Sequence, residues 1–320
     1  MTKLLLMLMM VSVWIGCGKE IEVVKENKNG VLYEEYEVYR DETNKQLVRH
    51  GFYRQYYPNK SYKVEGNHKD GELDGKWVEY YENGQVKEER NYKDGELDGK
   101  LVYYHENGQV NSEGNFVDGK QEGKWVFYYE NGQVSSEGNF VDGKQEGKWV
   151  LYYENGMIHK EENYKDWKKE GKWISYYESG MIHEEENYKD GKKEGKWVWY
   201  YDNGKVWRER NHKDGKEDGK WVWYYENGKV WREGNYIDGK EDGKWVSYYE
   251  DGQVKEERNY KDGKEENYKT YEYYEDGKVR KEENWEYGKR EGKRDGKIVF
   301  YDENGQVKEE INYKDGKRIY

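Results

Sequence analysis

His159 and His183 stand 24 residues apart, each preceded by Met-Ile, and form the simplest metal-ligand pair the sequence offers. A zinc site needs three or four ligands at workable spacing. His50, His68, His105 and His212 fall at other positions and add none, so the pair reads as surface histidines. The many Glu-Glu dipeptides resemble the carboxylate pairs of general acid–base catalysis, yet each recurs along the chain, whereas catalysis needs one unique constellation in a concave site. The Asp-Gly-Lys turns supply a single carboxylate beside a lysine; calcium takes about six to eight oxygens. The glycine periodicity lacks the Gly-Lys-Ser/Thr ending and the following helix of a phosphate loop. No catalytic residue, metal or cofactor is therefore expected, and the chain is read as non-enzymatic.

The residues that stand out are aromatic. Trp199, Trp207, Trp223 and Trp231 join Trp197 and Trp221 in two successive stretches, with Tyr200 and Tyr224 among them. Two uses compete for them: sheet-face packing beneath charged side-chain stems, or a contact patch for protein or glycan in which aromatic anchors dominate binding.

Whatever these side chains do, a repeat positions them. Gly195 to Asp218 recurs almost unchanged as Gly219 to Asp242, and the same glycine returns every 24 residues from Gly51 to Gly243. Such a period marks a repeat array. Within one unit, Lys76-Trp77-Val78-Glu79-Tyr80-Tyr81 is rich in the aromatic and β-branched residues that suit strands. Asn83-Gly84 then predicts a two-residue type I′ turn with both residues at positive φ. That turn sets Tyr81 opposite Val86, Glu79 opposite Glu88 and Trp77 opposite Arg90. It puts Trp77, Tyr81 and Val86 on one face and Val78, Tyr80, Lys87 and Glu89 on the other. In the later units it opposes Trp199 to Arg208 and Trp207 to Tyr200. Trp199 and Trp207 are then on opposite faces, and Trp207, Tyr200, Trp231 and Tyr224 form a strip. Between units, a four-residue loop Asp94 to Leu97 brings residue 101 beside Arg90; a two-residue loop staggers each unit by two. Both keep the tryptophan that recurs in each repeat on one face.

The expected architecture is all-β: an elongated single-layer antiparallel β-hairpin repeat array of about 24 residues per hairpin. Its bounds are residues 31–320, regular over 51–262 and divergent over 263–320, with longer loops or bulges at Gly263 to Lys269 and around Tyr287 to Gly296. Charged residues are 39% of the chain and hydrophobic ones 33%, a balance that ordinarily leaves a chain disordered. Aromatics at 17%, fixed in phase, and turn dipeptides on schedule overrule it. The net charge is −12 with acids and bases interspersed, which describes a solvated surface and, lacking a basic stripe, excludes a nucleic-acid footprint.

Residues 1–17 differ from all this. Lys3, the apolar run Leu4 to Ile15 and Gly16-Cys17 have the charged, apolar and small-residue parts of a secretion signal. Trp14-Ile15-Gly16-Cys17 resembles a bacterial lipobox, which implies lipidation of Cys17 and attachment to a membrane; a simple cleaved signal with an incidental cysteine is the alternative. Cys17 is the only cysteine, so no internal disulfide forms. Residues 18–30 are charged, lack the repeat and read as a flexible tether.

Glu113-Gly114-Asn115-Phe116-Val117-Asp118-Gly119-Lys120-Gln121-Glu122-Gly123-Lys124-Trp125 resembles a MORN repeat, and is closer to the bacterial MORN variant found in proteins labelled YwqK-type antitoxins. The resemblance covers roughly Gly51 to Tyr320 and departs where Gly114 is replaced by Arg90, Arg210, Glu162 or Glu186. It implies a twisted antiparallel sheet of consecutive hairpins and associations with phospholipids, scaffolding and toxin neutralisation. The expected role is an extended protein-binding or scaffold surface, anchored by lipid in the cell envelope. An antitoxin-like inhibitor of a protein toxin, and a surface for phospholipid head groups or glycans, are the alternatives.

Overall fold

The structure is a computed structural model that describes residues 12–14, 20–287 and 294–320. The described residues form strands and turns without a helix, and each strand pairs antiparallel with its neighbours. The chain divides into two units, residues 1–158 with 164–167, and residues 159–163 with 168–320.

In the first unit, one hairpin shows how the sequence builds the rest. Gly75–Tyr80 pairs with Val86–Lys93, with Trp77 opposite Arg90 and Glu79 opposite Glu88, as the sequence predicts. The Asn-Gly turn is of another kind. Gly84 alone takes a positive φ, 86°, while Asn83 does not. The Tyr81 N–H donates to the Gln85 carbonyl at 2.8 Å and the Gly84 N–H to the Tyr81 carbonyl at 2.9 Å. The connection is thus a three-residue loop whose glycine closes a bulge, held by the Gln85 N–H donating to Asn83 Oδ1 at 2.9 Å. The bulge shifts Val86 from Tyr81 to Tyr80, which corrects the predicted pairing beside the turn. It leaves the pairing farther along intact.

The type I′ turn lies instead at Asp94-Gly95, where φ is 47° and 84° and Lys93 pairs with Glu96. A two-residue loop alone would stagger the units, and it does not. Gly99 and Lys100 form a bulge, after which Glu89 meets Val102 and Glu88 meets Tyr103. The short turn and the unstaggered register therefore coexist, because the bulge supplies the two residues the turn lacks. Asn91 clamps it: its carbonyl accepts from the Asp98 N–H at 3.0 Å and its amide donates to the Lys100 carbonyl at 2.7 Å. The second unit repeats the device with Asn187 on Lys196 and Asn211 on Lys220, both at 2.6 Å.

Residues 18–30 are not a tether throughout. Glu20–Lys28 is a strand paired with Val31–Arg40 across the Asn29-Gly30 turn, and it buries Ile21 and Val24. The apolar residues within Glu20-Ile21-Glu22-Val23-Val24 gain burial and a full ladder from pairing, which offsets the ordering of a charged segment. The irregular stretch after Gly263 is a strand, Lys264–Tyr273, that absorbs its changed length in a bulge at Asn259 and Tyr260.

The two sheet faces differ. On one, tryptophans lie flat and buried: Trp125 and Trp149 join Leu101 and Phe140 in a cluster of the first unit, and Trp197, Trp221 and Trp245 are as dry in the second. For Trp125, Trp149 and Trp245 a glycine makes the room. A Cβ on Gly114 would come within 2.2 Å of the Trp125 ring, and one on Gly138 within 2.2 Å of Trp149. Where Arg90 replaces that glycine, the next unit carries Leu101 in place of tryptophan, opposite Gly114. The other face is a lattice of Lys, Glu and Tyr.

Candidate interaction surface

The Lys-Glu-Tyr face satisfies itself. Lys100 reaches Glu113 at 2.7 Å and the Tyr128 hydroxyl donates to the same carboxylate at 2.9 Å. Lys124, Glu137 and Tyr152 repeat the triad in the first unit, as Lys220, Glu233 and Tyr248 do in the second. The Lys100 and Tyr128 hydrogen bonds hold Glu113 below the usual carboxylate range. Burial, then the bond to Glu233, pushes Tyr248 up to about 12. Acids and phenols so paired are poor proton carriers at neutral pH.

The tryptophan face of the second unit is less settled. Across neighbouring strands one row runs Glu184, Trp199, Arg208, Trp223, Arg232, Ser247. The Arg208 guanidinium lies 3.9 Å from the Trp199 ring centre and 4.5 Å from that of Trp207. Arg210 lies 4.0 Å from Trp221, and Arg232 4.8 Å from Trp245. Such cation–π contacts strengthen where water is excluded. The Nε atoms of Arg208 and Arg210 are buried without a hydrogen-bond partner. Burial, reinforced by the neighbouring Arg210, lowers Arg208 to about 10, and burial lowers Arg210 as well. In the same row, burial and the adjacent Glu186 raise Glu184 to about 7. His212, buried beside Lys193 and Arg210, falls to about 4.

The structure separates the aromatic residues singled out in the sequence. Trp199 is buried and Trp223 half-buried, whereas Trp207 is 37% and Trp231 41% exposed. Trp207 does not face Tyr200. The bulge beside the Asn203-Gly204 turn pairs Tyr200 with Val206 and leaves Trp207 as the extra residue next to Arg208. Trp207 accordingly meets the Tyr201 ring at 6.4 Å and shares the Arg208 guanidinium with Trp199, while Trp231 meets Trp223 edge-on at 6.4 Å. Tyr200 and Tyr224 belong to the other face, hydrogen-bonded to Glu185 and Glu209. The strip of Trp207, Tyr200, Trp231 and Tyr224 is thus replaced by one of Trp199, Trp207, Trp223 and Trp231 with three arginines.

Those arginines are the residues that sequence reasoning missed. Their signal was the departure from glycine at Arg210 and the Trp-Arg dipeptides at 207–208 and 231–232. His183 sits against Ser175 Oγ at 3.3 Å and the Tyr177 ring at 4.6 Å. Among the described residues no group of three or more His, Cys, Asp or Glu could hold a metal ion. Cys17 lies outside the described residues.

Nine segments match the model of the MORN repeat variant: residues 73–94, 97–118, 121–142, 145–166, 169–190, 193–214, 217–238, 241–262 and 294–315. Together they exceed half the chain. No curated protein matches. Among solved structures, the Tc holotoxin pore of Photorhabdus luminescens is 10% identical over 95% of this chain and 18% of that one, with a TM-score of 0.17. A porin-like protein from Bacteroides uniformis is 11% identical over 87% and 93%, with a TM-score of 0.14. Neither likeness bears on function. With the same glycine and asparagine returning at each matched segment and the tryptophan at all but Leu101 and Ile298, the chain belongs to the MORN repeat variant family.

Proposed function

We propose that this chain is a non-enzymatic repeat protein of the cell envelope that offers the tryptophan face of its second unit to a protein partner. The supporting observation is the exposure of Trp207 and Trp231 beside arginine on a face where the repeat tryptophans are otherwise dry. Large rings and guanidinium groups together are the composition of interface hot spots. The envelope address rests on the apolar run 4–15 followed by Gly16-Cys17.

A photo-reactive amino acid placed at 207 or 231 in intact cells should give a cross-linked product of discrete mass. The same group at 167, an exposed turn of the first unit, should not. Absence of a product at both 207 and 231 would remove the reading. Fractionation tests the address: the chain should follow the membrane, and Cys17→Ala should release it.

A further inference from the structure

Arg208 and Arg232 flank Trp223 in a single row of paired residues, so they stand two strand spacings apart, about 9.6 Å. Trp207 and Trp231 immediately precede them and repeat at the same interval. Arg208 lacks a hydrogen-bond partner at its buried Nε, as does Arg210 behind it. Arg232 shares only a 3.8 Å contact with Glu241. The acids facing the row are Glu184 with its neighbour Glu186, Glu217 and Glu241, and burial beside Glu186 raises Glu184. Lys193 adds a further positive charge beside His212. Half-dry guanidinium groups short of counter-charge favour carboxylates, and the exposed indoles beside them favour flat apolar rings.

The spacing narrows the shape of the partner. A polyproline II segment returns the same side of the chain every third residue, after about 9.3 Å. An extended strand presents residues i and i+3 to opposite sides, and a sheet face offers it no open ladder. We propose that this row docks a proline-rich acidic segment of a protein partner in the polyproline II conformation. One carboxylate sits on Arg208, another on Arg232, and proline rings cover Trp207 and Trp231. The inference rests on reading this face as the contact surface, and names what meets it.

The test uses the full chain and labelled peptides of repeated Pro-Pro-Glu, Pro-Pro-Lys and, at equal charge, a Glu-rich helical sequence, read by fluorescence anisotropy. Vesicles of anionic phospholipid form a fourth arm. Pro-Pro-Glu should bind at least about tenfold more tightly than the other two peptides and should not be displaced by the vesicles. The double variant Arg208→Gln/Arg232→Gln should lose about tenfold or more. So should Trp207→Ala/Trp231→Ala, whose exposed side chains can go without unfolding the sheet, as circular dichroism would verify. Equal binding of Pro-Pro-Glu and Pro-Pro-Lys, preference for the helix or the vesicles, or wild-type affinity in both double variants would overturn the inference. Cross-linking at 207 or 231 without Pro-Pro-Glu binding would overturn it while leaving the contact surface standing. Pro-Pro-Glu binding that both double variants lose, without cross-linking in cells, would uphold the docking chemistry of the row and remove only the envelope partner.

Discussion

The same row of the tryptophan face can be followed in each unit, and the two differ in kind. In the first it runs Glu79, Glu88, Tyr103, Ser112, Phe127, Ser136, Leu151: acidic at its start and uncharged from Tyr103 on, with Phe127 lying against Trp125 and Trp149. In the second it runs Glu184, Trp199, Arg208, Trp223, Arg232. Strand lengths, turns and the asparagine clamp are shared, so backbone geometry does not make the difference. It is made at three variable positions per repeat: the residue two after the repeat tryptophan, the residue opposite it, and the glycine that accommodates the next tryptophan. Small residues there let rings lie flat and form a dry surface. Arginine in the same places covers the rings with charge it cannot fully neutralise. A MORN-variant repeat thus separates stability, carried by the fixed residues, from surface chemistry, carried by a few free ones.

The largest effect should come from the dry row. Trp125→Ala or Trp149→Ala removes a ring buried on both flanks and should cost about 3–5 kcal/mol, seen as a lower urea midpoint. Trp207→Ala should stay within about 0.5 kcal/mol. Equal losses at the two sites would break the contrast. Next in size is an exchange of the variable residue. Gly138→Arg forces a side chain into the 2.2 Å gap beneath Trp149 and should cost about 1–3 kcal/mol from overpacking. Arg210→Gly meets no such obstacle and should lose only the contact over Trp221, about 0.5–2 kcal/mol.

Much of this contrast was legible in the sequence, and the boundary of what was not is physical. Period, strand positions, the pairing of Trp77 with Arg90 and the all-β class follow from alternation and turn dipeptides, which act locally. The nature of the Asn-Gly turn did not follow, because a two-residue type I′ loop and a three-residue loop closed by a glycine bulge accept the same dipeptide. That one extra residue moved Trp207 and Trp231 to another neighbourhood. The bulge at Gly99-Lys100 was hidden for a similar reason: it depends on the Asn91 side chain, nine residues before Lys100. The pairing of residues 20–28 and the burial of Ile21 and Val24 were masked by the charges around them. The arginines were visible as letters, but the unpartnered Nε atoms of Arg208 and Arg210 are a property of the assembled face alone.

A smaller effect separates the units by pH. In the first, Glu113 and Glu137 are lowered, chiefly by hydrogen bonds from Lys100 and Lys124. Their contribution is therefore present above the unfolded value of 4.5 and lost as pH falls through the lower folded value. Glu184 in the second unit behaves oppositely: its value is raised from 4.5 to about 7, so its contribution is full below 4.5 and disappears as pH rises through about 7. Glu184→Gln should flatten that decline in a series of urea midpoints between those pH values. Glu113→Gln should instead reduce stability at neutral pH. A profile unchanged by Glu184→Gln would mean that the row holds no protonated carboxyl.

The smallest effect concerns a residue of the first unit that behaves unlike its neighbours. Asp142-Gly143 and Asp94-Gly95 place glycine at the second turn position, but Asp166 is followed by Trp167 at φ 67°, with 59% of its surface exposed. A side chain at positive φ crowds its own backbone, a cost of about 1 kcal/mol, and an exposed ring recovers little by burial. Trp167→Gly should therefore raise the urea midpoint by the equivalent of about 1 kcal/mol, offset in part by the greater freedom of glycine when unfolded. If stability falls instead, Trp167 holds a contact that outweighs its backbone strain, and the first unit would have an aromatic surface of its own at a turn.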